Sequence, residues 1–167
     1  MNRFEWCLEK GKAAKRKHRG LRAIEPDTKE SKSHLEKAEH NIDFMEEVKK
    51  LKRFNDWIFP AAFYSMYHAC LAILENFGYE SRNQECTFTA LKKLIKEGKI
   101  GLSLDEIATI RNIEKNIDEE DMKTLREDFQ YGTQVKAEKH LVENVCVFAR
   151  TFVEKVKGLL HALWGEV

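Results

Sequence analysis

Residues 57–77 read WIFPAAFYSMYHACLAILENF, and this stretch decides the fold. It is apolar on almost every side. A helix of that kind lies in the middle of a bundle, with other helices around it. The predicted helix covers about 56–77, with Asp56 as its N-cap and Gly78 as its C-terminal stop. Pro60 falls inside the first turn, where a missing backbone N–H is tolerated.

Upstream, a helix is expected over about 31–52. Leu35, Ala38, Ile42, Met45, Val48 and Leu51 recur every three or four positions and make one apolar stripe, while the opposite face is nearly all Lys and Glu. Downstream, GYESRNQECT (78–87) is polar and reads as a loop. A short helix over about 87–97 carries Phe88, Leu91, Leu94 and Ile95 on one side and ends at Gly98. Ser103 to Glu106 has the form of a capping box, opening a helix marked by Leu104, Ile107, Ile110, Ile113 and Ile117. One or two further turns are expected from Asp118, with Met122 and Leu125 inward, before residues 126–132 break the periodicity. The last helix is the longest. Val135, Val142, Ala149, Val156 and Leu163 fall seven apart, and Val145, Phe152 and Leu159 form a second seam at the same spacing. Cys146, Val153 and Leu160 widen this face to what a bundle helix needs. No strand and no internal repeat is expected. The fold class is therefore all-α, an up-and-down bundle of four main helices with short extra ones.

A chain of 167 residues accommodates one domain, or one domain with an arm. Charge divides it. Residues 1–22 hold eight basic side chains against two acidic ones, so +6; with the whole chain at +1, the rest carries −5. The expected organisation is a basic N-terminal arm over 1–27, ending near Pro26, and a helical domain over 28–167. Phe4, Trp6 and Leu8 should pack the first turns of the arm on the body. Residues 10–22, with Lys15, Arg16, Lys17 and Arg19, form the exposed basic part, either a solvated tail or a phosphate-binding arm.

The near-zero net charge favours neither nucleic acid nor membrane, and no uninterrupted apolar run reaches the roughly 18 residues of a membrane span. The N-terminus lacks the apolar core of a signal peptide. Cys70 and Cys146 read as small core hydrophobes, and Cys86 as an exposed residue of a polar turn. A reducing, cytoplasmic compartment is the expectation.

Local chemistry is sparse. No HxxxH, HExxH or ExxH pattern occurs, and His34 and His40, six apart, do not share a helix face, so no metal and no cofactor is expected. Phosphate-cradling glycine loops and the GxSxG elbow are absent. His68 lies mid-helix, with Tyr64 one turn before it. It is either a core histidine bonded to a tyrosine or backbone carbonyl, or part of a site. The best cluster is residues 126–131, where Arg126, Asp128, Gln130 and Tyr131 precede the long helix. A guanidinium fork suits phosphate, and a phenol offers a stacking face and a hydroxyl. The same residues could instead be an internal ion pair and a packed ring.

Two of these segments carry a resemblance. AAFYSMYHACLAILENFGYESRN resembles the signature helix and GY loop of HEPN (higher eukaryote and prokaryote nucleotide-binding) domains, A-x-Y-x-x-[MF]-[FYH]-x-A. LREDFQYGT resembles the later LRxxADYG segment of one prokaryotic branch. The order of elements agrees, and the likeness spans roughly residues 31–160. It implies a homodimeric helical bundle. Many members are metal-independent ribonucleases with an R-x4–6-H site before the last helix, completed across the dimer, and many pair with a small nucleotidyltransferase in a toxin–antitoxin operon. Here Tyr131 follows Arg126 where the histidine would stand, and no other arginine has a histidine at that spacing. A phenol, with its pKa near 10, is a poor proton shuttle at neutral pH. The expected function is thus a dimeric, non-catalytic binding module for nucleotide, RNA or a nucleotidyltransferase. The alternatives are a metal-independent RNA endonuclease using Arg126 and Tyr131 with His68 recruited in space, and a purely structural dimeric scaffold.

Overall fold

A computed structural model describes residues 1–12, 17–118 and 139–165. Among these residues the chain is mostly helical. The elements are α1 (Arg3–Gly11), β1 (Leu21–Ala23), α2 (Thr28–Leu51), α3 (Ile58–Asn76), β2 (Tyr79–Ser81), α4 (Gln84–Lys96), α5 (Leu104–Asp118) and α6 (Lys139–Trp164). Helix α3 is central and packs against α2, α4, α5 and α6. Together with the single 3-10 turn before it, it is long and apolar enough to cross a membrane, yet 72% of that stretch is buried within the chain. It is a core helix, as its all-round apolar sequence requires.

The helix ends follow from local chemistry. Asp27, Asn83 and Ser103 each accept a hydrogen bond from the backbone N–H three residues on. Glu106 reaches back to the Ser103 N–H at 2.7 Å, completing the capping box. Gly78, with φ 79°, terminates α3 in the left-handed region, and Gly98 takes a similar φ after α4. Asp56 does not cap α3. It sits inside a 3-10 turn (Asn55–Trp57) that leads directly into the helix.

The stripe of α2 is buried at Leu35, Ala38, Met45 and Val48, but Leu51 is exposed where the helix outruns its neighbours. Leu104 and Leu163, both counted with apolar faces, are also exposed at helix ends. The face of α6 from Val142 to Leu160 is buried by the chain's own α3 and α2. Residues 119–138, including Met122, Leu125 and Val135, lie outside the described residues.

Two further expectations are corrected. The stretch GYESRNQECT is not all loop: β2 pairs antiparallel with β1, in the register Leu21 with Ser81 and Ala23 with Tyr79, and α4 begins at Gln84. Three-residue strands are too short to show a period-two pattern, so nothing in the sequence marked them. Second, Cys86 is not exposed. It is fully buried and forms a disulfide with Cys7, 79 residues away. Cys70 and Cys146 are free and buried, as core residues. Burial pushes the thiol pKa of both upward, that of Cys146 to about 11.

The disulfide fastens α1 to α4, and Cys7 and Leu21 belong to the same core as the bundle helices. Within residues 10–22, Lys17 and Arg19 are exposed, whereas His18, Gly20 and Leu21 are buried. A side chain at Gly11 would overlap the Leu21 carbonyl, so glycine is what lets α1 and β1 approach this closely.

Candidate functional site

Helices α2 and α3 run antiparallel, joined by a short link that begins at Lys52 in the left-handed conformation. Their outer seam is a cleft of about 380 Å³. It is lined by Lys37, Asn41 and Phe44 from α2, and by Trp57, Pro60, Ala61, Tyr64 and His68 at the start and along α3. Phe44, Trp57 and Tyr64 are 49%, 56% and 50% exposed, an unusual concentration of aromatic surface on one chain. From Trp57 to His68 the seam runs roughly 16 Å at 1.5 Å per residue.

At the His68 end of the cleft, that lining histidine meets a second imidazole. The Nδ1 atoms of His68 and of His34, on α2, lie 3.0 Å apart, so one donates and the other accepts. The rings are tilted 33° with centroids 5.2 Å apart. His68 was expected to satisfy itself on a tyrosine or a carbonyl. Its partner is instead a histidine from the neighbouring helix. Burial lowers the pKa of both. His68 falls to about 4, with His34 and then Lys37 adding to the effect of burial. At pH 7 the pair is neutral. On the far side of His34, the Glu30 Oε1 lies 3.9 Å from Nε2.

The arrangement offers flat aromatic faces, one lysine, one amide and a neutral imidazole pair. Stacking on aromatic rings with a cation nearby is the chemistry by which proteins hold unpaired bases. Among the described residues, no group of three or more His, Cys, Asp or Glu is placed to hold a metal ion.

Of the residues singled out in the sequence, His68 and Tyr64 line this cleft. Arg126, Asp128, Gln130 and Tyr131 lie outside the described residues, as do Lys15 and Arg16. Lys17 and Arg19 belong to the α1–β1 connection, toward the end of α3 remote from Trp57. Sequence reasoning missed Phe44, Trp57, Lys37 and Asn41 as a group, and missed His34 as the partner of His68. Phe44 did carry a signal, being an aromatic residue off the apolar stripe of α2.

A second polar cluster surrounds β2. Glu80 lies 3.3 Å from Nε2 of the buried His18, 2.9 Å from Arg82 Nε and 3.6 Å from Arg22. Nearby, Glu75 is only 6% exposed. Burial first, then Glu30, Glu80 and Asp27, raise its pKa to about 7. This cluster ties β1 to the end of α3.

Compared with known proteins, the chain matches no protein-family model and no curated sequence.

Proposed function

We propose that this chain is a binding module for nucleotides or single-stranded RNA, and that the α2–α3 cleft is its base-stacking face. One observation carries the reading: Phe44, Trp57 and Tyr64 expose their rings along one seam beside Lys37 and His68. Apolar rings left in water in a row have no use in the isolated fold, whereas unpaired bases stack on them regardless of sequence. The resemblance to HEPN domains supports the same ligand class. It also implies the associations proposed with it, a homodimer and a nucleotidyltransferase partner.

Catalysis is not part of the proposal. The rival reading is a metal-independent RNA endonuclease that uses Arg126 and Tyr131 and recruits His68 from the imidazole pair. With its pKa near 4, His68 is a weak base at pH 7 and offers no imidazolium to protonate a leaving group. The test is titration of the full chain with short single-stranded RNAs and with mononucleotides, followed by intrinsic fluorescence and by anisotropy of labelled RNA. Tyr64→Ala and Trp57→Ala should each weaken binding about 5- to 150-fold, the equivalent of 1–3 kcal/mol per stacked base. Wild-type protein that binds neither class of ligand refutes the proposal. Metal-free cleavage of RNA that is lost in His68→Ala would favour the rival.

A further inference from the structure

We infer that His34 and His68 together form a chelating site for a late first-row divalent cation, copper(II), nickel(II) or zinc(II), at the His68 end of the α2–α3 cleft. The inference does not depend on nucleotide binding.

The geometry comes first. Two ring nitrogens from separate, packed helices stand 3.0 Å apart. Nitrogens bound to one such ion at about 2.0–2.1 Å, with an angle near 95° between them, are themselves about 3.0 Å apart. The two nitrogens therefore already stand at the right separation, and each ring must turn until both lone pairs face one point. In the metal-free protein the same spacing serves as a hydrogen bond.

Protonation state is the second requirement, because a metal-ligating histidine must be neutral. An imidazole with its ordinary pKa near 6.5 is mostly neutral at pH 7, which meets it. A third support is Glu30. Metal-binding histidines commonly present their other nitrogen to a carboxylate, which fixes the tautomer. Glu30 Oε1 stands 3.9 Å from His34 Nε2, beyond hydrogen-bond reach but on the side where such a carboxylate sits.

The chemistry also selects the ion. Imidazole suits copper, nickel and zinc, while magnesium and calcium prefer oxygen ligands. No third His, Cys, Asp or Glu joins the pair among the described residues. The remaining coordination positions are thus filled by water, and because His68 lines the cleft they open into it. Lys37 acts against the ion by adding a nearby positive charge. Two ligands and an opposing cation make the site exchangeable rather than structural.

The experiment is calorimetric titration of the oxidised full-length chain with copper(II), nickel(II) and zinc(II), using magnesium as the control. His34→Gln and His68→Gln remove one ligand each, and the double variant sets the background from His40, His140 and His161. Binding to wild type at least tenfold tighter than to the double variant is the expected result. Equal affinity in wild type and double variant overturns the inference. If the variants fail to fold, the wild type still decides the matter by chemical modification of histidines with diethyl pyrocarbonate, mapped by mass spectrometry. Saturating nickel should protect His34 and His68 selectively, and no selective protection overturns the inference.

Discussion

Breaking the Cys7–Cys86 bond is the most informative perturbation of this fold. The two cysteines are 79 residues apart, and their Cα atoms lie 5.5 Å apart, within the usual range for a disulfide. In the chain-entropy picture, closing a loop of that length removes about 15 cal/mol/K from the unfolded ensemble, or roughly 4.5 kcal/mol at 25 °C. That is comparable to the whole stability of many small domains. Both sulfurs are buried, so Cys7→Ala with Cys86→Ala is the gentler substitution, since it introduces no hydroxyl that would need a partner. The assay is urea denaturation followed by circular dichroism, comparing oxidised wild type, wild type in reductant and the double variant. With a slope of about 2 kcal/mol/M, the midpoint should fall by roughly 2 M in the latter two. Alkylation before and after denaturation gives an independent check. The oxidised chain should offer only Cys70 and Cys146, and those only once unfolded. Coincident midpoints in all three samples, or four alkylatable thiols in the untreated protein, would refute the reasoning.

Further outcomes follow from other sites. His68 has its folded pKa lowered to about 4 from 6.5, so its contribution to stability is present above 6.5 and lost as pH falls toward 4. Glu75 has its folded pKa raised to about 7 from 4.5, so its contribution is present below 4.5 and lost as pH rises toward 7. Each effect is at most about 3 kcal/mol, and less for the partly exposed His68. They oppose one another between pH 4.5 and 6.5. Glu75→Gln should therefore make stability climb with pH across that window, and His68→Gln should make it decline; parallel denaturation curves for the two variants would contradict both assignments. Gly11→Ala should push α1 off β1 and cost about 1–3 kcal/mol, read as a lower denaturation midpoint with faster amide exchange confined to residues 3–23. Ser103→Ala removes the cap of α5 and should lower stability by about 1 kcal/mol.

Much of the architecture was legible because it rests on composition and period. An all-round apolar helix has to be central, and residues 57–77 proved to be so. The stripes of α2, α4 and α6 are buried at most of the named positions, and the glycine stops and the Ser103 capping box depend only on neighbours in sequence. Exposure at Leu51, Leu104 and Leu163 was not legible, since a stripe gives the direction of a face but not where the neighbouring helix ends. The candidate site was half-read. His68 and Tyr64 stood out on one helix, yet the cleft needs Lys37, Asn41 and Phe44 from another.

Taken alone, then, the sequence determined an all-helical chain, its central helix, most of its buried faces and the chemistry of its caps. All of these are set by residues within a few turns of one another. Only the tertiary structure decided that Cys7 meets Cys86, that His34 meets His68, and that β1 meets β2. Those pairs are separated by 79, 34 and about 60 residues. No local period or spacing encodes such meetings, because they arise from how the helices pack and not from how each one forms.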